Sequence, residues 1–292
     1  MMFRLIRKTE PTPVKQGVIL DLSGPRLRKA LEHLIESAEA TGGVERYVGA
    51  LALKASLFEE ILGKGRVSDM EEAEFLDLAS FVTPVRRRIG PWLGANRFET
   101  LRQRIADLLD GWSDATTTDA RLAAFIGSFP EDREHRWVRD LGAEILHFIA
   151  PDRYPLMTRW IWDRGVGTGV LREIWFTEDV DTARIDAADD HATFATLSGE
   201  LEDFLKDNGF FRDLPFYSDL LMAHVYAGYI NDRGGQYLRS DFTTSGDPMA
   251  HTRRMLGLDA VNTETGRTRL KLIDGTAHML GDPRQVAQME PS

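Results

Sequence analysis

The chain has 292 residues, of which 42% are hydrophobic and 28% are charged, so it is long enough to bury a substantial core. It contains no cysteine, which excludes disulfides, thiolate nucleophiles, cysteine-ligated zinc and iron–sulfur clusters. No apolar run approaches the ~20 residues of a membrane span, and the net charge of −10 disfavours nucleic acid as a partner. We therefore expect a globular cytoplasmic protein with no membrane partner.

Helical periodicity dominates the first half of the chain. Apolar residues recur at helical spacing between glycine and proline breaks, which predicts helices over 24–41, 44–62, 68–83, 96–110 and 120–126. Ser68 and Glu71 have the spacing of a capping box, with the serine as N-cap of the third helix. Before these helices, two short apolar runs separated by prolines favour an N-terminal arm or a small hairpin.

The central stretch, residues 137–175, holds four of the six tryptophans and is the predicted centre of the fold. A buried helix is expected up to Pro151, followed by a helix that Asp152 caps, with Pro155 in its first turn. A glycine-rich turn at 165–169 should lead into a third helix. At least one of Trp160 and Trp162 is expected to pack where two helices meet.

The second half of the chain begins with an acidic loop at 177–190 and is also mainly helical. Periodicity predicts helices over 194–207, 216–230 and 248–256. Residues 268–273 alternate enough to form a strand, for which the N-terminal arm is the expected partner. We expect an all-α bundle of about ten helices with short β arms at the ends. Its parts are an arm at 1–23, a body at 24–260 and an arm at 261–292; the body is one unit or two helical subdomains that meet near 112–135.

The polar residues give no local signature of catalysis. No pair of histidines has the spacing of a zinc site, and no nucleophile elbow or phosphate-binding loop is present, so no metal, cofactor or catalytic residue is predicted. His147 and His224 lie on apolar helix faces, where a core histidine with a satisfied hydrogen bond is expected.

Aromatic and arginine residues favour a binding role, because they dominate the energetics of protein interfaces. The aromatic runs at 210–217 and 224–229 are typical of a core, but an incompletely buried ridge there would anchor a partner. The expected binding residues are Arg159, Trp160, Trp162, Gly165, Gly167, Thr168, Tyr229, Asn231 and Arg233. Our first hypothesis is a non-enzymatic protein-binding or assembly factor, whose partner is another protein or a second copy of the chain.

Residues 146–160, LHFIAPDRYPLMTRW, resemble a segment of the helix-hairpin-helix DNA glycosylases. Thr158 stands where that family has its catalytic aspartate, so the resemblance implies the scaffold without the chemistry. In another alignment, Gly165-Val166-Gly167 resembles the family's hairpin, whose backbone N–H groups face a DNA phosphate. Val180-Asp181-Thr182 then resembles the segment with the catalytic aspartate. The two alignments place the hairpin differently.

The resemblance supplies the second hypothesis, nucleic-acid recognition through the glycine-rich hairpin. Arg86, Arg87 and Arg88 would form a flanking arginine patch on the phosphate backbone. A run of this kind is also typical of a solvated face, and that alternative stays open.

Overall fold

Helices make up most of the structure, a computed structural model that describes residues 18–94, 96–177, 184–233, 247–262 and 264–281. The helices are α1 (Gly24–Glu39), α2 (Val44–Leu62), α3 (Glu72–Ser80), α4 (Ile89–Leu93), α5 (Phe98–Leu109), α6 (Thr118–Gly127), α7 (Trp137–Ile149), α8 (Val170–Glu173), α9 (His191–Asp207), α10 (Leu214–Arg233) and α11 (Ala250–Met255). Two short strands, β1 (Arg267–Lys271) and β2 (Ala277–Met279), pair antiparallel. The predicted mainly α-helical fold is confirmed.

Helices α7 and α10 form the centre of the fold. α7 is buried along nearly its whole length and packs against α2 and α6. α10 packs against α1, α2, α8, α9 and α11. A helix that is enclosed on all sides needs apolar residues around most of its circumference, which α7 provides. The same enclosure buries the side chains of Asp140, Glu144 and His147, whereas Arg139 stays partly exposed.

The helix predicted after Asp152 is wrong, because residues 150–169 form turns and extended segments. Proline disfavours helical geometry in the residue before it, and Ala150, which precedes Pro151, is extended with φ −156°. The segment's backbone instead pairs with α8: Val170 N–H donates to Trp160 O and Leu171 N–H to Ile161 O. Trp160 therefore lies in a buried loop.

The capping box of α3 lies three residues later than predicted. Glu71 is the N-cap and Glu74 the reciprocal partner, since the Glu71 backbone N–H donates to the Glu74 carboxylate at 2.8 Å. Ser68 instead belongs to a 3-10 turn over Gly63–Asp69, in which Lys64 and Gly65 adopt positive φ. This extra turn displaces the start of the helix.

Within the described residues, the C-terminal strand pairs inside its own hairpin and not with residues 18–23 of the predicted N-terminal arm. β1 pairs with β2 of the same hairpin, while Leu22 forms a bridge with Trp175. The hairpin packs on α3 and α4, where Gly90 is required because a Cβ there would lie 1.9 Å from Lys271 O. Residues 1–17 lie outside the described part of the chain, and the division into arms and body stays a prediction.

Candidate functional site

The two central tryptophans are packing residues. Trp162 is 1% exposed and its indole N–H donates to Ala187 O at 3.2 Å. Trp160 is 8% exposed, and its ring lies 5.9 Å from that of Tyr226. Both side chains are buried, which confirms the expectation that at least one of them packs in the core. Neither is presented to a ligand on the described surface.

Arg159, another predicted binding residue, neutralises a buried carboxylate. Its backbone N–H donates to Asp140 Oδ1 at 3.1 Å, and its guanidinium donates to Asp140 Oδ2 and to Arg136 O. Burial raises the pKa of Asp140, and the positive charge of Arg159 opposes that rise. Removing Arg159 would leave the buried Asp140 carboxylate without its counter-ion. This structural role is sufficient to explain why an arginine occupies position 159.

The glycine-rich turn directs its backbone donors inward. The N–H groups of Val166, Gly167 and Thr168 all reach Asp163 O, at 3.2, 2.7 and 3.4 Å. The Val166 N–H also reaches the Asp163 carboxylate at 3.1 Å, so one aspartate takes the position that a phosphate would need. Gly165 has no positive φ, whereas Gly167 does and its carbonyl accepts from Arg172. The following helix, α8, has only four residues.

The end of α10 carries the remaining predicted binding residues. Tyr229 is half-buried, with its ring 5.8 Å from that of Tyr226, and Asn231 is exposed. The side chain of Arg233 and the whole of Gly234-Gly235 lie outside the described residues. α10 packs against α8, the short helix that follows the glycine-rich turn.

The three consecutive arginines do not form one patch. Arg86 is 2% exposed and makes a bidentate ion pair with Asp259, at 2.8 and 3.2 Å. Arg88 is exposed and pairs with Glu134, while Arg87 is exposed beside it. A buried arginine cannot clamp a phosphate backbone, so the predicted patch is wrong for Arg86.

Sequence reasoning missed a buried ion pair between α2 and α7. Lys54 of α2 donates to Glu144 of α7 at 2.6 Å and to the carbonyls of Phe81 and Leu256 at 2.9 Å each. Its ammonium group also lies 4.1 Å from the Phe148 ring centroid. All three N–H donors of the Lys54 ammonium group thus have acceptors inside the protein, as a buried ammonium requires.

A second buried pair lies one turn further along α7. His147 Nδ1 donates to Tyr154 O at 2.7 Å, and Nε2 lies 2.8 Å from Asp219 Oδ2 of α10 at angles outside those of a hydrogen bond. Burial alone would lower the pKa of His147, but the negative charge of Asp219 raises it above the ordinary value. The expected core role of His147 is confirmed.

The signal for these pairs was present on α7. Asp140, Glu144 and His147 recur at spacings of four and three residues, which places them on one helix face. Three ionisable residues on one face of a predicted buried helix imply buried partners. Their identities, Arg159, Lys54 and Asp219, depend on distant contacts that periodicity cannot supply.

An opening beside the exposed Phe211 lies between α2 and the turn before α10. We call it the α2 groove; it encloses about 510 Å³ and is lined by Glu45, Val48, Gly49, Ala52, Gly209, Phe210, Phe211, Arg212, Asp213 and Tyr217. Phe211 is 74% exposed, whereas the Phe210 ring stacks 4.7 Å from that of Tyr217. The incompletely buried aromatic ridge that the sequence left open therefore exists at this end of the 210–217 run.

The rim of the α2 groove carries two carboxylates, from Glu45 and Asp213, and one cation, Arg212. Burial raises the pKa of the Tyr217 hydroxyl, and the negative charges of Glu45 and Asp213 raise it further, which places both carboxylates near this ring. Asp213 adopts φ 52°, a left-handed conformation that aspartate tolerates better than most residues. Two carboxylates thus flank an apolar floor.

No protein-family model, curated protein or solved structure matches the chain. Within the described residues, no cluster of three or more histidine, aspartate or glutamate residues could hold a metal ion. None of the described helices has the length and apolar character of a membrane span. The case for a function therefore rests on the chain's own surface.

Proposed function

We propose that the chain is a non-enzymatic binding protein that recognises another protein through the α2 groove. One observation carries the proposal, an exposed Phe211 at the lip of a groove with an apolar floor. Burying a phenylalanine side chain completely contributes about 1.5–3 kcal/mol, enough to make it a dominant contact. The half-buried Phe210 and Tyr217 would hold that contact in place.

The floor of the groove admits close approach of a partner. Gly49 lies inside α2, and a Cβ added there meets no atom within 4 Å. An interior glycine lowers helix stability by about 0.5–1 kcal/mol relative to alanine, so the fold gains nothing from it. At Gly49 the α2 backbone is therefore open to contact by a partner segment, as the α9 backbone is at Gly199.

The charges of the groove identify the kind of partner. Glu45 and Asp213 favour a segment that presents apolar side chains together with a basic residue. A second copy of the chain would bring the same carboxylates face to face, and each copy carries a net charge of −10. We therefore favour a different protein over self-association.

The alternative function, nucleic-acid recognition through Gly165 and Gly167 with an arginine patch, remains a second hypothesis with less support. The N–H groups of that turn are taken by Asp163, and Arg86 is taken by Asp259. Val180-Asp181-Thr182, the segment compared with the catalytic aspartate, lies outside the described residues. Duplex binding measured by anisotropy with a Val166→Glu variant tests it: unchanged binding would exclude this turn.

A matched pair of variants tests the proposal. Gly49→Leu fills the groove, whereas Gly199→Leu makes the same change at an exposed position of α9 where an added Cβ also meets no atom within 4 Å. Both replacements should preserve the fold, because leucine favours helix over glycine. The full chain and both variants would serve as bait in an extract of the native cells, with quantitative comparison of the proteins retained.

The expected result is a protein that wild type and Gly199→Leu retain and that Gly49→Leu loses. Retention by all three would place the interface elsewhere and contradict the proposal. Light scattering after size exclusion provides a separate outcome: a dimer that Gly49→Leu alone dissociates would replace the partner protein with a second copy. A monomer that retains no protein would also overturn the binding role.

A further inference from the structure

The exposed face of β1 is uniformly basic. Its side chains alternate between solvent and core, with Thr268 and Leu270 buried and Arg267, Arg269 and Lys271 exposed. Side chains two residues apart on a strand face the same way and lie about 6.7 Å apart. The three cations therefore lie along one face of β1, whose register with β2 shifts between Arg267 and Lys271, on a protein whose net charge is −10.

These cations line a concave surface on the hairpin, which we call the hairpin groove. It encloses about 880 Å³ and is lined by Val261, Asn262, Thr265, Arg267, Thr268, Arg269, Lys271, Gly275, Thr276, Ala277 and Met279. The lining includes three cations and several hydroxyl or amide groups but no carboxylate. Neither Arg267 nor Lys271 forms an ion pair with any residue in the described ranges.

Further arginines border the hairpin groove. Burial lowers the pKa of Arg254, and the positive charges of Arg87, Arg86 and Arg269 lower it further, so these cations lie close enough to repel one another. Asp259 is the carboxylate among them: Arg86 makes a bidentate pair with it, and Arg269 Nε lies 3.4 Å from Asp259 Oδ2 and donates to Asp259 O at 2.8 Å. Positive charge is thus in excess at this end of the molecule, which favours an anionic ligand.

We propose that the hairpin groove binds the phosphodiester backbone of a nucleic acid. Three cations along one strand face match a ligand whose charges repeat along a chain, better than a single phosphate group. The side-chain amide of Asn262 can donate hydrogen bonds to phosphate oxygens, whereas the Thr276 hydroxyl already donates to Asp274 at 2.7 Å. This site is independent of the α2 groove and lies away from the glycine-rich turn.

The composition of the groove also defines the mode of contact. No aromatic side chain is among its lining residues, so it offers no platform on which bases could stack. Contacts to phosphates carry no direct sequence information. We therefore expect binding that is independent of sequence, at least as strong to duplex as to single strands, and steeply weakened by salt.

A charge-matched pair of variants tests this proposal. One variant combines Arg267→Gln, Arg269→Gln and Lys271→Gln. The other combines Lys29→Gln, Arg164→Gln and Lys206→Gln, three exposed cations elsewhere on the surface, and changes the net charge by the same amount. Anisotropy of a labelled mixed-sequence DNA duplex is measured as a function of salt, with labelled polyglutamate as a second probe and melting curves as the check on folding.

Three phosphate contacts predict a slope of about −2.7 in log K against log salt concentration, and each single replacement should reduce its magnitude by about 0.9. The hairpin triple variant should lose binding, while the control triple variant keeps it. Absence of duplex binding by wild type at low salt would overturn the proposal. Equal loss of binding in both triple variants would also overturn the proposal, because it would show that net charge alone causes binding. Equal affinity for polyglutamate would overturn it too, because the ligand would then be an acidic protein segment.

Discussion

Acidification should weaken the fold through His224. This side chain is 5% exposed, its Nε2 lies 2.7 Å from His33 Nδ1, and its Nδ1 lies 3.0 Å from Thr252 Oγ1. Burial, with repulsion from His33, lowers the pKa of His224 from 6.5 to about 4. Between these values the unfolded chain binds a proton that the folded chain does not, so stability present above pH 6.5 is lost as the pH falls.

The magnitude follows from the pKa difference. At about 1.4 kcal/mol per pH unit, the full loss is about 3 kcal/mol, of which about 2 kcal/mol should appear by about pH 5. His147 has a raised pKa and acts in the opposite direction, so the effect is isolated by comparison with His224→Gln. Urea unfolding of both proteins at about pH 7 and about pH 5 measures it. A stability difference between them that changes by less than about 0.5 kcal/mol across this range would refute the reasoning.

Three substitutions test the packing of the interior. Trp162→Ala should cost about 3–5 kcal/mol, because it empties a large buried site; a melting temperature within about a degree of wild type would contradict the packing role. Lys54→Met should cost about 3–5 kcal/mol by leaving Glu144 buried and unpaired, and Lys54→Met/Glu144→Leu should recover part of that loss; additive losses in denaturant unfolding would count against the coupling. Gly257→Ala should cost at least about 3 kcal/mol, because Gly257 has φ 75° and a Cβ would lie 1.7 Å from Phe81 O. Gly65→Ala, at φ 80° with open space around it, should cost only about 1 kcal/mol, and equal effects on thermal unfolding would refute the steric argument.

Local signals predicted most helices well. Periodicity and terminal breaks located α2, and the interior apolar residues of α7 predicted a buried helix. The same reasoning failed after Asp152, where residues preceding Pro151 and Pro155 are disfavoured in helices and tertiary packing holds the chain in an irregular path. Strand pairing could not be predicted either, because alternation alone does not show that β1 pairs with β2 of the same hairpin.

The candidate sites were less predictable than the fold. The tryptophans and Arg159 were predicted as binding residues. The two central tryptophans are instead buried, and Arg159 neutralises Asp140. Phe211 was visible only as part of an aromatic run whose members differ in exposure, and periodicity cannot separate them. Exposure depends on the turn before α10, in which Asp213 adopts a left-handed conformation.

Direct contact at the α2 groove is the measurement closest to the central claim. A photoreactive benzoylphenylalanine in place of Phe211 would be activated in native cells, with the same group in place of Val166, 61% exposed in the glycine-rich turn, as the control. We expect one discrete crosslinked protein at position 211 and not at 166, with a crosslinked peptide that contains apolar side chains and a basic residue. No product at 211, or the same product at both positions, would contradict the assignment of the α2 groove as the binding surface.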